Sequence, residues 1–396
     1  MDAEKKTPAD GKRRFIMRII PIASGKGGVG KSLVSANLAV AFAQAGQRVV
    51  LTDLDLGASN LHLVLGHHSP KSGIGTFLND TRSDFSKVIV ETDVRGLRFI
   101  PGDTEIPGMA NLKAAQLKAL VRRLLALQED TDILILDLGA GTHQSILDFF
   151  LLSGQGIVVT APAVTAVLNA YVFLKNTVFR LMYTIFNKGN AAAYLQQVRK
   201  DGSGPQKLYI PQLLPEIKKI DPAAYDEYME RVNHFHPRLI MNLIDDPKDA
   251  DVAMKIRRSC EEYLDLKIEP LGVVYRDTIQ DTALSSRLPI VLYKPQSVLS
   301  QAIYRIADKI LQSEEDSYSL NEKQIEESFQ EAGMEAEIDF NTKMEYVEDL
   351  LHSGALSQGD LIETVKSQQF EITKLKKENN FLKHKLSGIM AKNFTS

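Results

Sequence analysis

Residues 25 to 32 read Gly25-Lys26-Gly27-Gly28-Val29-Gly30-Lys31-Ser32, four glycines, two lysines and a serine at the spacing of a loop that wraps polyphosphate. Several negative charges in a small volume are bound by backbone N–H groups turned inward beside the positive end of a helix. Glycines permit those turns without a Cβ clash. Lys31 then stands where it reaches β- and γ-phosphates, and the Ser32 hydroxyl where it ligates Mg²⁺. Two further groups carry carboxylates. Asp53 and Asp55 close the apolar run Val49-Val50-Leu51, and Asp137 closes Ile133-Leu134-Ile135-Leu136 before Gly139-Ala140-Gly141.

The elements that must position these groups are readable from their patterns. Ile19 to Ala23 form an apolar strand ahead of the loop, and Leu33, Val34, Ala36, Leu38, Ala39 and Phe42 follow it at helical spacing. Asp53 and Asp55, two apart in a strand, face the same side. The run ending at Asp137 is apolar on every residue, as in a parallel strand buried on both faces. All three groups then meet at the carboxyl ends of the strands. The fold class expected is α/β, a doubly wound, mostly parallel sheet with a helical C-terminal tail.

Lys26 is the unusual residue, because a second lysine among the phosphates would be crowded by like charge and so is expected to point outward. With it, the loop resembles that of the deviant Walker A ATPases of the MinD and ParA group, whose fold is that of P-loop NTPases. The resemblance covers residues 17–186 and 238–312. It implies that ATP and Mg²⁺ are bound and that two chains close face to face in the ATP state as a homodimer, with Lys26 reaching the partner's nucleotide. It further implies that Lys31 acts on the phosphates, that Asp55 positions or deprotonates the attacking water, and that Ser32, Asp53 and Asp137 attend the metal. Ala58-Ser59-Asn60 and Gly139 to Gly141 match the switch segments. Asn242, ending Leu239-Ile240-Met241, matches the asparagine at the adenine edge, and backbone around Val274, Tyr275 and Arg276 completes that pocket. The chain has no Asn-Lys-x-Asp element for guanine. Within the group, Asp53 to His62 and Leu288 to Pro295 look most like FlhG, which governs flagellar number and placement. That branch implies a slow ATPase switch with a protein partner in a polar or membrane machine. Ser153-Gly154-Gln155 departs from the acidic pair that MinD carries there.

Composition bounds the alternatives. A net charge of −3 over 396 residues gives no global attraction to nucleic acid, and Arg122-Arg123 and Arg257-Arg258 are pairs rather than the stripe that a ParA-like DNA partner needs. The single cysteine, Cys260, excludes relatives that hold a cluster between paired cysteines. With no signal peptide and no apolar span of about 18 residues, the expected location is the cytoplasm, or the inner membrane face through a peripheral contact. His67, His68, His234 and His236 lack partners at metal-ligand spacing.

Four regions are expected: a basic arm over 1–16, the ATPase domain over 17–312 with an insertion at 187–237, an acidic linker over 313–343, and a helical tail over 344–396. The insertion carries Pro205, Pro211 and Pro215 and one short helical pattern, Ile217, Ile220, Tyr225 and Met229, and reads as a lid or a partner-binding appendage. Thirteen acidic residues against two lysines between 313 and 349 mark a solvated linker holding one helix. In the tail, Ile372, Leu375, Asn379, Leu382, Leu386 and Ile389 fall at a and d positions of a two-stranded coiled coil. Lysines beside Phe381, Leu382 and Met390 equally suit an amphipathic membrane helix, and a docked helix is a third reading. If the tail pairs permanently, the chain is a dimeric scaffold whose nucleotide is structural.

Overall fold

The computed structural model describes residues 17–56, 59–67, 72–80, 82, 84–102, 112, 114–200, 209–313, 322–352 and 366. Eight strands form one sheet: β1 (Arg18–Ser24), β2 (Val49–Leu54), β3 (Val90–Glu91), β4 (Leu97–Ile100), β5 (Ile133–Ala140), β6 (Ile157–Thr160), β7 (Arg238–Ile244) and β8 (Glu269–Tyr275). Their order is β3-β4-β2-β5-β1-β6-β7-β8, parallel throughout except for the short pair β3 and β4. β5 lies between β1 and β2, so the end of the loop strand and both aspartate-bearing strands are neighbours.

Alternate residues of each strand divide between two layers. Ile133 and Ile135 of β5, with Val49 and Leu51 of β2, join a core built on helices α1 (Lys31–Gln44) and, further along the chain, Val298–Gln312. Leu134, Leu136 and Val50 are equally buried but face the opposite layer. There α2 (Val164–Ile185) packs against α3 (Asp251–Leu264). The Val298–Gln312 helix, α4, packs back on α1. Coverage of both faces is what requires the continuous apolar strands, and α1 is buried on nearly every side, as a central helix must be.

The insertion is more ordered than its sequence pattern suggests. It holds three helices, Gly189–Lys200, Ile210–Ile220 and Pro222–Asn233, of which only part of the last two was expected. Asp221 accepts from the Ala224 N–H and starts the third helix behind Pro222.

The core also runs past 312. The chain divides into two compact units, Met1–Asp339 and Phe340–Ser396, and helix α5 (Glu322–His352) begins inside the first. Residues expected in a solvated acidic linker are helical there, and Ile325, Phe329, Ala332, Ala336 and Asp339 are buried. Their spacing of four, three, four and three makes one helical stripe, which the surrounding glutamates obscure in composition. The basic arm, the coiled-coil or membrane segment and the linker residues 314–321 lie outside the described residues.

Ile325→Ala is expected to lower stability by about 2–4 kcal/mol, the usual cost of truncating a fully buried Ile. Urea unfolding of the full chain measures it, and a change below about 0.5 kcal/mol would return the core boundary to 312.

Candidate functional site

The loop between β1 and α1 is fixed by contacts on both flanks. Gly30 is the N-cap of α1 with φ +81°, in the left-handed region, and a Cβ there would stand 2.2 Å from Asn242 Nδ2. A Cβ at Gly25 would stand 2.0 Å from the Asn169 carbonyl oxygen of α2. Neither position has room for a side chain.

The two lysines take opposite environments. Lys31 is buried, with Nζ 2.8 Å from Asp137 Oδ1. Lys26 is exposed, and its Nζ donates to Thr165 Oγ1 at 3.0 Å on the first turn of α2. Asp137 gathers three groups from the start of α1: Lys31, the Ser32 hydroxyl donating to Oδ2 at 2.7 Å, and the Ser35 hydroxyl donating to Oδ1 at 2.7 Å. Removing one partner of so buried a pair costs about 3–5 kcal/mol, because the other charge is left uncompensated.

Asp53 stands directly opposite Asp137 in the β2–β5 register and is 1% exposed. Its Oδ2 accepts from Ser59 Oγ at 2.6 Å and its Oδ1 from the Asp55 N–H at 3.0 Å. Burial, and then the Asp137 carboxylate, push the Asp53 carboxyl up to about 7, against Ser59, the Asp55 N–H and Lys31, which pull it down. Asp55 itself is half-buried and faces the end of β5, since a Cβ on Gly139 would lie 3.3 Å from Asp55 Oδ1. Asp55 therefore meets the second expected switch segment. Asn60 begins the short helix Leu61–Val64, whereas Gly57 and Ala58 lie outside the described residues.

Among the described residues no three His, Cys, Asp or Glu side chains gather as a metal cage. The donors present are one serine hydroxyl and two adjacent carboxylates, all hard oxygens. That set fits Mg²⁺, which is held by one or two carboxylates and completes its shell with phosphate oxygens and water.

Beside the loop lies a cavity of about 180 Å³. Leu33, Val34 and Asn37 of α1, Asn242 and Leu243 of β7, and the chain from Val274 to Thr278 line it. Asn242, Tyr275 and Arg276, expected at the adenine, thus border one space. Asn242 Nδ2 donates to the Val29 carbonyl at 2.8 Å and ties β7 to the loop. Tyr275 is buried away from solvent, with its hydroxyl on the Ala336 carbonyl. The Arg276 guanidinium is exposed, with Nε 3.2 Å from Asp245 Oδ1.

Three roles were not read from the sequence, although Ser59 was placed in a switch segment and Leu243 in the strand of Asn242. Ser35 follows Lys31 by one helical turn, which could have placed it on the same face. Ser59 grips Asp53 through a loop whose path no periodicity reveals. Leu243 has φ +58° at a break in the β7–β8 register, a left-handed conformation costing about 1–2 kcal/mol that sequence pattern does not signal in a leucine.

Comparison with known proteins bears on these residues. Antiactivator FleN of Pseudomonas aeruginosa is 31% identical over 159 residues, which are 40% of this chain and 56% of that protein. The flagellum site-determining protein YlxH of Helicobacter pylori is 30% identical over 158 residues, 40% of this chain and 53% of its own length. The septum site-determining protein MinD of Synechocystis is 34% identical over 160 residues, 39% and 56%. The chain thus spans about half the length of the curated relatives it matches. Among solved structures, MinD of Pyrococcus horikoshii, complexed with Mg-ADP, superposes with a TM-score of 0.50 at 20% identity, over 75% of this chain and 97% of that one. That likeness shows the fold. A family model for the CobQ/CobB/MinD/ParA nucleotide-binding domain matches residues 20–384, and with FleN, YlxH and MinD among its relatives the chain belongs to this family.

Proposed function

We propose that the chain is an ATP-dependent switch that hydrolyses ATP slowly and pairs with a second copy while ATP is bound. The observation that carries this reading is the division of labour within one loop. Lys31 and Ser32 are held inward on Asp137, while Lys26 is held outward on Thr165. A phosphate loop serving one chain needs only the inward lysine; the outward one is placed for a nucleotide bound elsewhere.

Within one chain, loop N–H groups and Lys31 hold the phosphates, and the cavity between α1, β7 and the chain after β8 takes the nucleoside. Asp55 orients the attacking water and accepts its proton. Ser32, Asp53 and Asp137 would hold Mg²⁺, which would supply neutralising charge on the phosphate oxygens. Asp53 and Ser59 fix the segment that carries Asp55, so its position follows the state of the site.

The surface beside Lys26 supports pairing. Val164, Leu168 and Val172, one turn apart on α2, are 76%, 58% and 41% exposed. An apolar stripe left uncovered beside the outward lysine suits burial against another protein. The names of YlxH and MinD, both site-determining proteins, support a task in setting the place of a cellular machine, and we extend it to number and to a protein partner that reads the ATP state. Among the described residues no helix is long and apolar enough to cross a membrane. Membrane contact would fall to residues 365–390, at the periphery.

Three variants test this reading. Lys31→Ala should weaken ATP binding about 10- to 100-fold, the range for losing a hydrogen bond to a charged group; undiminished affinity in a titration would remove the loop from the phosphates. Asp55→Ala should bind ATP and lose about 10²- to 10⁴-fold in turnover, and phosphate release at the wild-type rate would strip Asp55 of its role. Light scattering of Asp55→Ala should give the monomer mass with ADP and twice that mass with Mg-ATP. Adding Lys26→Ala should hold it at the monomer mass, whereas a dimer under every condition would favour the permanent scaffold.

A further inference from the structure

The docked half of α5 meets a residue of the nucleoside cavity, Tyr275. Tyr275 is 1% exposed, and its hydroxyl donates to the Ala336 carbonyl of α5 at 2.7 Å. The same residue lines the cavity, and the next N–H, that of Arg276, donates to the Ile244 carbonyl at 2.9 Å, beside the left-handed Leu243. Displacing the Tyr275 ring therefore moves a wall of the cavity.

Helix α4 makes a second bridge. Leu299 and Ile303 in its first turns line the cavity, while Arg305 pairs with Asp339 and Lys309 Nζ lies 2.8 Å from Glu335 Oε1. Further contacts hold α5 without touching the cavity. The Arg257 guanidinium lies 5.3 Å from the Phe329 ring centroid, and Ile325 is fully buried. A ring buried on one element, in a residue that lines a ligand cavity, couples the two, because whatever fixes one narrows the freedom of the other.

We propose that residues 322–339 are a nucleotide-sensing element and that Tyr275 is its positioning residue: a nucleoside in the cavity tightens the docking of α5, and docking tightens the nucleoside. Coupling of this kind is reciprocal by necessity. The proposal rests on the reading of that cavity as the nucleoside pocket. Its consequence is a route, independent of pairing between chains, by which the occupied site reaches the residues that follow Asp339.

Amide hydrogen exchange and ATP titration on the full chain test it, with wild type, Tyr275→Phe and the double variant Ile325→Asp with Phe329→Asp. In wild type, Mg-ATP should slow exchange at 242–244, at 274–278 and also across 322–339. Tyr275→Phe removes one hydroxyl and no volume that matters to the core. It should weaken ATP binding about 3- to 10-fold and shrink the ATP-dependent slowing across 322–339. The double variant frees the helix without altering the cavity lining and should lose at least as much affinity. Slowing at 242–244 and 274–278 with none at 322–339 would refute the coupling while leaving the nucleoside pocket in place. Wild-type affinity in both variants would refute it as well. No slowing at 242–244 or 274–278, despite measurable ATP binding, would take down the pocket and the coupling together.

Discussion

Asp137 is the charge around which the rest is arranged. It is fully buried in the middle of the sheet, where a lone carboxylate would cost several kcal/mol, and it is compensated by three groups from the first turns of α1. That compensation locks the end of β5 to the start of α1. The loop between β1 and α1 must then span two fixed points, and its glycines are where the span is tightest. The second carboxylate, Asp53, adds a like charge on the neighbouring strand and is drawn toward its neutral form as a result. Two buried carboxylates in register, with a hydroxyl beside them, set hard oxygen atoms side by side at the end of the loop.

The same loop faces two ways because its flanks differ. Its inner flank is α1 and β5, which are buried and charged. Its outer flank is α2, which approaches Gly25 with a main-chain carbonyl and offers Thr165 to Lys26. An ammonium group loses little by staying in water, so one hydroxyl suffices to hold Lys26 at the surface. The exposed valines and leucine of α2 lie along that flank, and apolar area is what an outward lysine alone could not supply to an interface.

How much of this was legible follows from how local each signal is. The strand ends and the loop were, because an apolar run closed by a carboxylate and a glycine-rich octapeptide are contained within ten residues. Asn242 was expected at the adenine edge by resemblance, but its bond to Val29 spans 213 positions and no sequence pattern encodes it. The docked half of α5 was hidden because buried stripe and acidic face alternate within one helix, and composition averages them to a solvated linker. Of the insertion, Ile217 pointed to a helix, whereas Ala191 and Leu195, the buried residues of Gly189–Lys200, are too sparse to announce one.

The irregularities of the sheet fall mostly where the site is. β1 loses register with β5 between Ile22 and Ser24, just before the loop, and β7 loses register with β8 between Asn242 and Ile244, at the cavity. A sheet continued regularly through these points would carry its alternating side chains across the space beside the loop and fill it. The break at Leu243 instead turns Asn242 onto Val29 and leaves the cavity open, at the cost of one leucine in a left-handed conformation. Strain of about 1–2 kcal/mol persists only where surrounding contacts over-determine it. Here those contacts are the Asn242 amide on one side and the Arg276 N–H on Ile244 on the other, so the strained residue is pinned between the phosphate loop and the strand that carries Tyr275. The cavity is thus shaped by three segments that meet only in the folded chain, and the site depends on the register of β7 and β8 as much as on the loop motif itself.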